Sequence, residues 1–390
     1  MDIKQFKNII QSSHINFLFG SGLSVPYLKT LGNIETWLTE AESINDDKEK
    51  IIVQTSLYAK YFKDVMLPCM DIKNEEKNTY ENVLNNYEHF LIVWNEIIAK
   101  RSVNLLDKQI NIFTTNIDNF VELAAEFVGV EFNDGFKGHH NPIFREDSFT
   151  TIMSKVSTLY QNSARIPVFN YLKIHGSINW TKGSNNNIKF DSSLNLLSKI
   201  QNSVKACSPE FLFSDYTKDT KFSQISDFAK DCLTRENGSF QVLEKFISDY
   251  NELVMVNPRK TKFRETVLDL HFYELMRIFS NALEQSTTIL MVAGFSFADE
   301  HIAKIIVRSA NANPTLLIMI FAYDDNAKQY IHNNLRNAGP SNNNNILIIT
   351  PSDYQNWFDE DTRNSIKDLI KFDLYSLNKY VFDKLANMLW

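Results

Sequence analysis

Ile15-Asn16-Phe17-Leu18-Phe19 runs directly into Gly20-Ser21-Gly22-Leu23-Ser24. The first half is short, apolar and too brief for an independent helix, so it reads as a buried strand. The second half is small and polar, and marks that strand's carboxyl end. The pattern recurs three times. Ile110–Phe113 is followed by Thr114-Thr115-Asn116-Ile117-Asp118, Tyr171–Ile174 by His175-Gly176, and Thr288–Ala293 by Gly294-Phe295-Ser296. Small or polar residues in this position lie where open α/β sheets bind ligands. Four such ends predict a nucleotide-sized cleft, with Asn116 and His175 as its chemical pair.

Working outward, seven strand-like runs are expected: Ile15–Phe19, Ile110–Thr114, Tyr171–Ile174, Leu253–Val256, Thr288–Ala293, Thr315–Phe321 and Ile346–Ile349. Helical patterns separate several of them, which predicts an α/β fold with a doubly wound, Rossmann-like parallel sheet. The sheet core is expected over about residues 1–45, 105–180 and 251–355. Two stretches, about 46–104 and 181–250, exceed a single crossover helix and are read together as a smaller helical module walling the cleft. The first holds Tyr80, Val83, Leu84, Tyr87, Phe90, Leu91, Trp94 and Ile98 at helical spacing, an apolar face that reads as core. The second opens on a polar loop, Gly183–Asn187, before helices near Leu194–Val204, Phe222–Leu233 and Phe240–Tyr250. An amphipathic terminal helix is expected over about 373–390.

Composition narrows the function classes. Of 390 residues, 44% are apolar and 22% charged, ordinary for a globular chain large enough for one elaborated core. A net charge of −7 lacks the basic face that a free-standing nucleic-acid binder needs. No run of about 18 uncharged apolar residues is present. Met1-Asp2-Ile3-Lys4-Gln5 has no secretory-type apolar stretch, so a cytoplasmic location is expected. Cys69, Cys207 and Cys232 are isolated, which excludes a tetrathiolate zinc site and an internal disulfide framework.

Each motif has two readings. Gly20-x-Gly22 begins like a dinucleotide fingerprint whose glycines admit a pyrophosphate, with Ser21 and Ser24 as hydroxyl donors. Position 25 is Val where a third glycine would stand, and a plain strand-to-helix turn is the competing reading. Thr115, Asn116 and Asp118 serve equally as an N-terminal cap for a helix over Phe120–Phe127. His175 precedes a glycine that lets the chain turn and present the imidazole to the cleft.

Taken in order, the four motifs resemble the sirtuin (silent-information-regulator) family. There a Gly-Ala-Gly-x-Ser loop holds the pyrophosphate, and a Thr-Gln-Asn-Ile-Asp segment surrounds nicotinamide and its ribose. A His-Gly supplies the base, and a Gly-x-Ser contacts the adenosine half. The resemblance covers about residues 15–350. It implies NAD as substrate, Asn116 and His175 as catalytic residues, and Gly20, Ser21, Gly22, Ser24, Thr115, Asp118, Gly294 and Ser296 as NAD-binding residues. Protein deacylases of the family carry Gly-Ile-Pro-Asp-Phe-Arg where this chain has Ser24-Val25-Pro26-Tyr27-Leu28-Lys29, and two cysteine pairs for zinc that are missing here. Asp134-Gly135-Phe136, Asn257-Pro258 and Gly294–His301 look like the sirtuin-like proteins of bacterial antiviral systems.

That branch implies hydrolysis of NAD to nicotinamide and ADP-ribose, as the effector of anti-phage abortive infection, with no zinc. Nicotinamide is a cationic leaving group, so the site has only to hold the ribose and admit water; the general acid of ordinary glycosidases is dispensable. Asn116 orients water or ribose, His175 takes a proton, and Asp118 receives the carboxamide. Two other readings stay open: a non-catalytic regulator that binds an NAD metabolite, and a nuclease within a larger complex. The chain ends soon after its sheet, which implies a separate sensing partner. The resemblance points to a HerA-type hexameric ATPase, on a homo-oligomer of this chain.

Overall fold

A computed structural model describes residues 2–101, 106–234, 240–257 and 270–388. Seven parallel strands form the main sheet: β1 (His14–Phe19), β2 (Gln109–Thr114), β3 (Phe132–Asn133), β4 (Val168–Lys173), β5 (Thr288–Ala293), β6 (Leu316–Phe321) and β7 (Ile346–Ile349). Their spatial order is β7-β6-β5-β1-β2-β4-β3. The chain reverses its direction of growth beside β1, the switch point at which α/β sheets open a ligand crevice.

The central strands are apolar on both faces because helices cover both. Phe17, Ile112, Tyr171 and Met291 pack toward α1 (Ile3–Ser12), α2 (Lys77–Ala99), α3 (Phe120–Val128) and the helical C-terminus, Leu374–Met388. Leu18, Phe113, Leu172 and Leu290 pack toward α4 (Leu270–Glu284), α5 (Glu300–Ala312) and α6 (Ala327–Ala338).

One polar row crosses this second face. Asn133 donates to Asn170 at 3.0 Å, Asn170 to Asn111 at 2.9 Å, and Asn111 to Asn16 at 2.9 Å. Asn16 closes the row on the Ile289 carbonyl at 3.4 Å. Asn170, Asn111 and Asn16 each accept at the oxygen from one neighbour and donate through the NH2 to the next, while Asn133 Oδ1 accepts the Gly135 N–H, so the row runs one way across five strands. In the pairing register Asn16 stands opposite Asn111 and Asn111 opposite Asn170. A slip of either strand would strand buried amide groups, each costing about 1–3 kcal/mol.

A second core belongs to a helical module. Ile52, Leu57 and Tyr58 of Asp47–Tyr61 pack with Leu197 and Ile200 of Asn195–Ala206, Ile225 of Phe222–Leu233, and Phe246 and Tyr250 of Phe240–Tyr250. Tyr58 and Tyr250 stack with centroids 4.3 Å apart. The aromatic helix α2 joins the sheet core instead, so the first long insertion is shared between the two cores.

Three other expectations are corrected. Leu253–Val256 is no strand; only Met255 forms a bridge, to Gly176. Its apolar residues are buried between the two cores, and a short buried segment has the same apolar pattern as a strand. The strand expected at Tyr171 begins at Val168. The second insertion opens on a hairpin, Trp180–Lys182 with Ile188–Phe190, which joins Ile143–Phe144 and Phe136–Lys137 in a small antiparallel sheet. Pro258 lies outside the described residues.

Replacing Asn111 by Ala removes the middle of the amide row and leaves Asn16 Oδ1 and Asn170 Nδ2 without partners. The expected loss is about 1–3 kcal/mol per stranded group, read as a lowered urea midpoint. An unchanged midpoint would show that the row contributes nothing to register.

Candidate functional site

Because the amides hold the strands in register, β1, β2, β4 and β5 end at one level, at Phe19, Thr114, Lys173 and Ala293. The loops leaving these ends line a cleft of about 650 Å³, within the usual size of a small-molecule site. All the sequence-predicted site residues except Gly20 line it: Ser21, Gly22, Ser24, Thr115, Asn116, Asp118, His175, Gly294 and Ser296. Leu31, Glu35, Tyr61, Val65, Tyr323, Tyr330 and Phe372 also line it.

Gly20 lies beneath the lining, where it has a different task. Its N–H donates to the Ala293 carbonyl at 3.0 Å, and the Gly22 N–H donates to the Gly294 carbonyl at 3.0 Å. A Cβ on Gly20 would collide with the Gly294 carbonyl, and one on Gly294, at φ +66°, with Leu23. The glycines let two loops interlock, and two amides that a pyrophosphate would use are already engaged.

Asn116 is set by its neighbour. Thr114 Oγ1 donates to the Phe19 carbonyl at 3.2 Å and accepts the Asn116 N–H at 3.0 Å. The Asn116 side chain is buried, and its Oδ1 has no hydrogen-bond partner among the described residues. Such a group ordinarily costs stability and marks a site made for something else. Asn116 caps nothing. The cap position of α3 is Asn119, which makes no side-chain cap bond, while Asp118 Oδ1 accepts the Phe120 N–H at 3.3 Å.

Asp118 is the hub of the cleft floor. Its Oδ2 accepts from the Ser24 hydroxyl at 2.9 Å, and the Ser24 Oγ lies 3.1 Å from the Tyr87 hydroxyl. Lys173 Nζ donates to the Asp118 carbonyl and, at 2.7 Å, to Glu122 Oε1. Burial pushes the Asp118 carboxyl above its ordinary range, against the Lys173 ammonium and the Ser24 hydrogen bond. Burial likewise raises Glu122, again opposed by Lys173. The sequence did carry a signal for Lys173, a lone cation in a fully buried strand. Tyr87 reads as core by its spacing, and its ring is core, but its hydroxyl reaches Ser24.

His175 emerges on a turn that only glycine completes. Gly176 has φ +77°, and a Cβ there would collide with the Val254 carbonyl. Val256 N–H donates to the His175 carbonyl at 2.9 Å, and Ser177 N–H to the Val254 carbonyl at 3.2 Å. The 253–256 segment therefore clamps the turn on both sides. His175 Nε2 lies 3.3 Å from Asp299 Oδ2, with the two side chains only 12% and 7% exposed. Asp299 was not singled out from sequence as a partner of His175. Ser296 is exposed at the rim, where its carbonyl accepts from Asn334 at 2.9 Å. Among the described residues no cluster of three or more His, Cys, Asp or Glu has metal-holding geometry, and no helix is long and apolar enough to cross a membrane.

Gly20→Ala is expected to force the two loops apart at a cost of about 1–3 kcal/mol and to disorder the cleft mouth. A lowered melting temperature together with weakened nucleotide binding would show it. A variant as stable as the parent would mean that the loops are not interlocked.

A family model described as the SIR2-like domain matches residues 110–339, more than half of the chain. The matched span includes Asn116, His175 and Gly294–Ser296 and leaves out the Gly20–Ser24 loop. No curated protein matches the chain.

Proposed function

The chain belongs to the SIR2-like domain family, and from that premise we propose that it is an NAD glycohydrolase, releasing nicotinamide and ADP-ribose. The family suggests NAD-related enzymatic activity. The observation that carries the finer reading is that Asn116, with an unpartnered buried oxygen, and His175 line one cleft at the ends of neighbouring strands. The cleft also fits the substrate in its chemistry, its lining combining aromatic side chains with amides, hydroxyls and carboxylates.

When bound, NAD supplies a glycosidic bond whose leaving group is already cationic, so no side chain need act as general acid. Asn116 offers its free oxygen to a water or ribose hydroxyl and its NH2 as a donor. His175 accepts the proton that a water or ribose hydroxyl gives up. Asp118 is held by Ser24 and the Phe120 N–H, and receives the carboxamide from a fixed position. Tyr87 and Lys173 act from below by holding Ser24 and the Asp118 backbone.

The sirtuin-like pattern over Gly294–His301 supports a setting as well: an effector of anti-phage abortive infection, assembled as a homo-oligomer and governed by a separate HerA-type ATPase. NAD loss that rises on adding the co-expressed ATPase supports that setting; an unchanged rate counts against it.

Asn116→Ala is expected to abolish nicotinamide release while leaving a folded protein, because its side chain makes no cap. His175→Ala is expected to lower kcat by roughly 10²–10⁴-fold with KM little changed. Chromatographic assay of nicotinamide and ADP-ribose checks both. Substantial hydrolysis by folded Asn116→Ala would assign the wrong site, and a His175→Ala variant that merely failed to bind NAD would make His175 a pocket wall.

A further inference from the structure

We propose that Asp299 is the positioning residue of His175, and that it decides which imidazole nitrogen acts as the base. The inference rests on the reading of His175 as the proton acceptor.

Asp299 spends its two oxygens differently. Oδ1 accepts the His301 N–H at 3.1 Å and the Ile302 N–H at 3.4 Å, capping α5. Oδ2 lies 3.3 Å from His175 Nε2. The cap fixes the carboxylate to a thirteen-residue helix packed on the sheet, so the oxygen facing the imidazole is held by rigid structure. Two residues before Asp299, Phe297 is buried at φ +61°. A non-glycine residue in that conformation is strained, and such strain collects at functional sites.

An ionised carboxylate can only accept hydrogen bonds. Beside Nε2 at 3.3 Å, it favours the proton there and leaves the lone pair of neutral His175 on Nδ1. Nδ1 is then the atom that accepts a proton, and the imidazolium so formed has Asp299 beside it. The same division of labour between a buried Asp and a His base operates in hydrolytic triads. Of the other charged side chains lining the cleft, Asp118 is engaged by Ser24 and Lys29 by Asp64. Catalytic contacts in a ligand-free site are often long and tighten when substrate binds, so a 3.3 Å separation is compatible with the role.

The two-oxygen arrangement makes a discriminating variant. In Asp299→Asn the cap still needs an acceptor for the His301 N–H, so the amide oxygen goes to α5 and the NH2 turns to His175. A donor at Nε2 drives the ring proton to Nδ1, the opposite tautomer. The ring nitrogens of His175 are read by 15N NMR in the protein without nucleotide, their signals assigned by their loss in His175→Gln. The parent is expected to show Nε2–H and Asp299→Asn to show Nδ1–H, at an unchanged melting temperature. NAD hydrolysis by Asp299→Asn is expected to fall by roughly 10²–10⁴-fold in kcat, with KM little changed. Asp299→Ser keeps a capping oxygen but presents no carboxylate to the ring, and is expected to give mixed tautomers and a lowered kcat.

If both variants keep the parental tautomer, or turn over NAD at the parental rate, Asp299 does not position His175. A parent chain that shows the Nε2–H tautomer yet leaves NAD intact contradicts the hydrolase reading alone, since the tautomer is measured without turnover.

Discussion

The row of asparagine amides across β3, β4, β2 and β1 is the constraint on which the site depends. Parallel strands of nearly uniform apolar character have little to distinguish one register from another, because both faces are buried and the contacts are non-directional. Hydrogen-bonded amides are directional. By pairing Asn16 with Asn111 and Asn111 with Asn170, the row brings Phe19, Thr114 and Lys173 to the same level. The polar islands that follow then meet across a single cleft. Shifting one strand would separate Asn116 from His175 by a strand step, whatever the loops did.

Interlocked backbone turns this level edge into a floor. Gly20, Gly22 and Gly294 sit so close that side chains cannot be added, and the 253–256 segment holds the His175–Gly176 turn through backbone hydrogen bonds. Below, Lys173 links the Asp118 backbone to Glu122, so a buried cation is matched by acceptors on the neighbouring segment. Most polar groups of the floor are thus occupied with one another. Asn116 Oδ1 has no hydrogen-bond partner among the described residues, and it is the oxygen that the proposed chemistry needs.

The strand ends were legible because a polar island after a buried apolar run is a local signal: six of the seven expected runs are strands. Leu253–Val256 was misleading for the same reason, since a buried apolar clamp and a buried strand have one pattern. The short strands at Trp180–Lys182 and Ile188–Phe190 are too brief to display a period. Gly20-x-Gly22 announced a special loop, but whether its glycines admit a ligand or another loop depends on Gly294, far along the chain. Asp299 appeared in sequence only within the Gly294–His301 pattern, and its capping of α5 emerges from the structure. Its approach to His175 is a tertiary fact, written in no local pattern. The division of the first insertion between two cores was equally hidden, because an apolar helical stripe does not say which core it faces.

The central claim is that the levelled strand ends form a dinucleotide site with its reactive end at Asn116 and His175. A crystal structure of the protein with a non-hydrolysable carba analogue of NAD tests it most directly. The account predicts the nicotinamide ring against Asn116, Asp118 and His175, with the adenine toward Tyr323 and Tyr330. An analogue bound in the reverse sense, or outside the cleft, would contradict it.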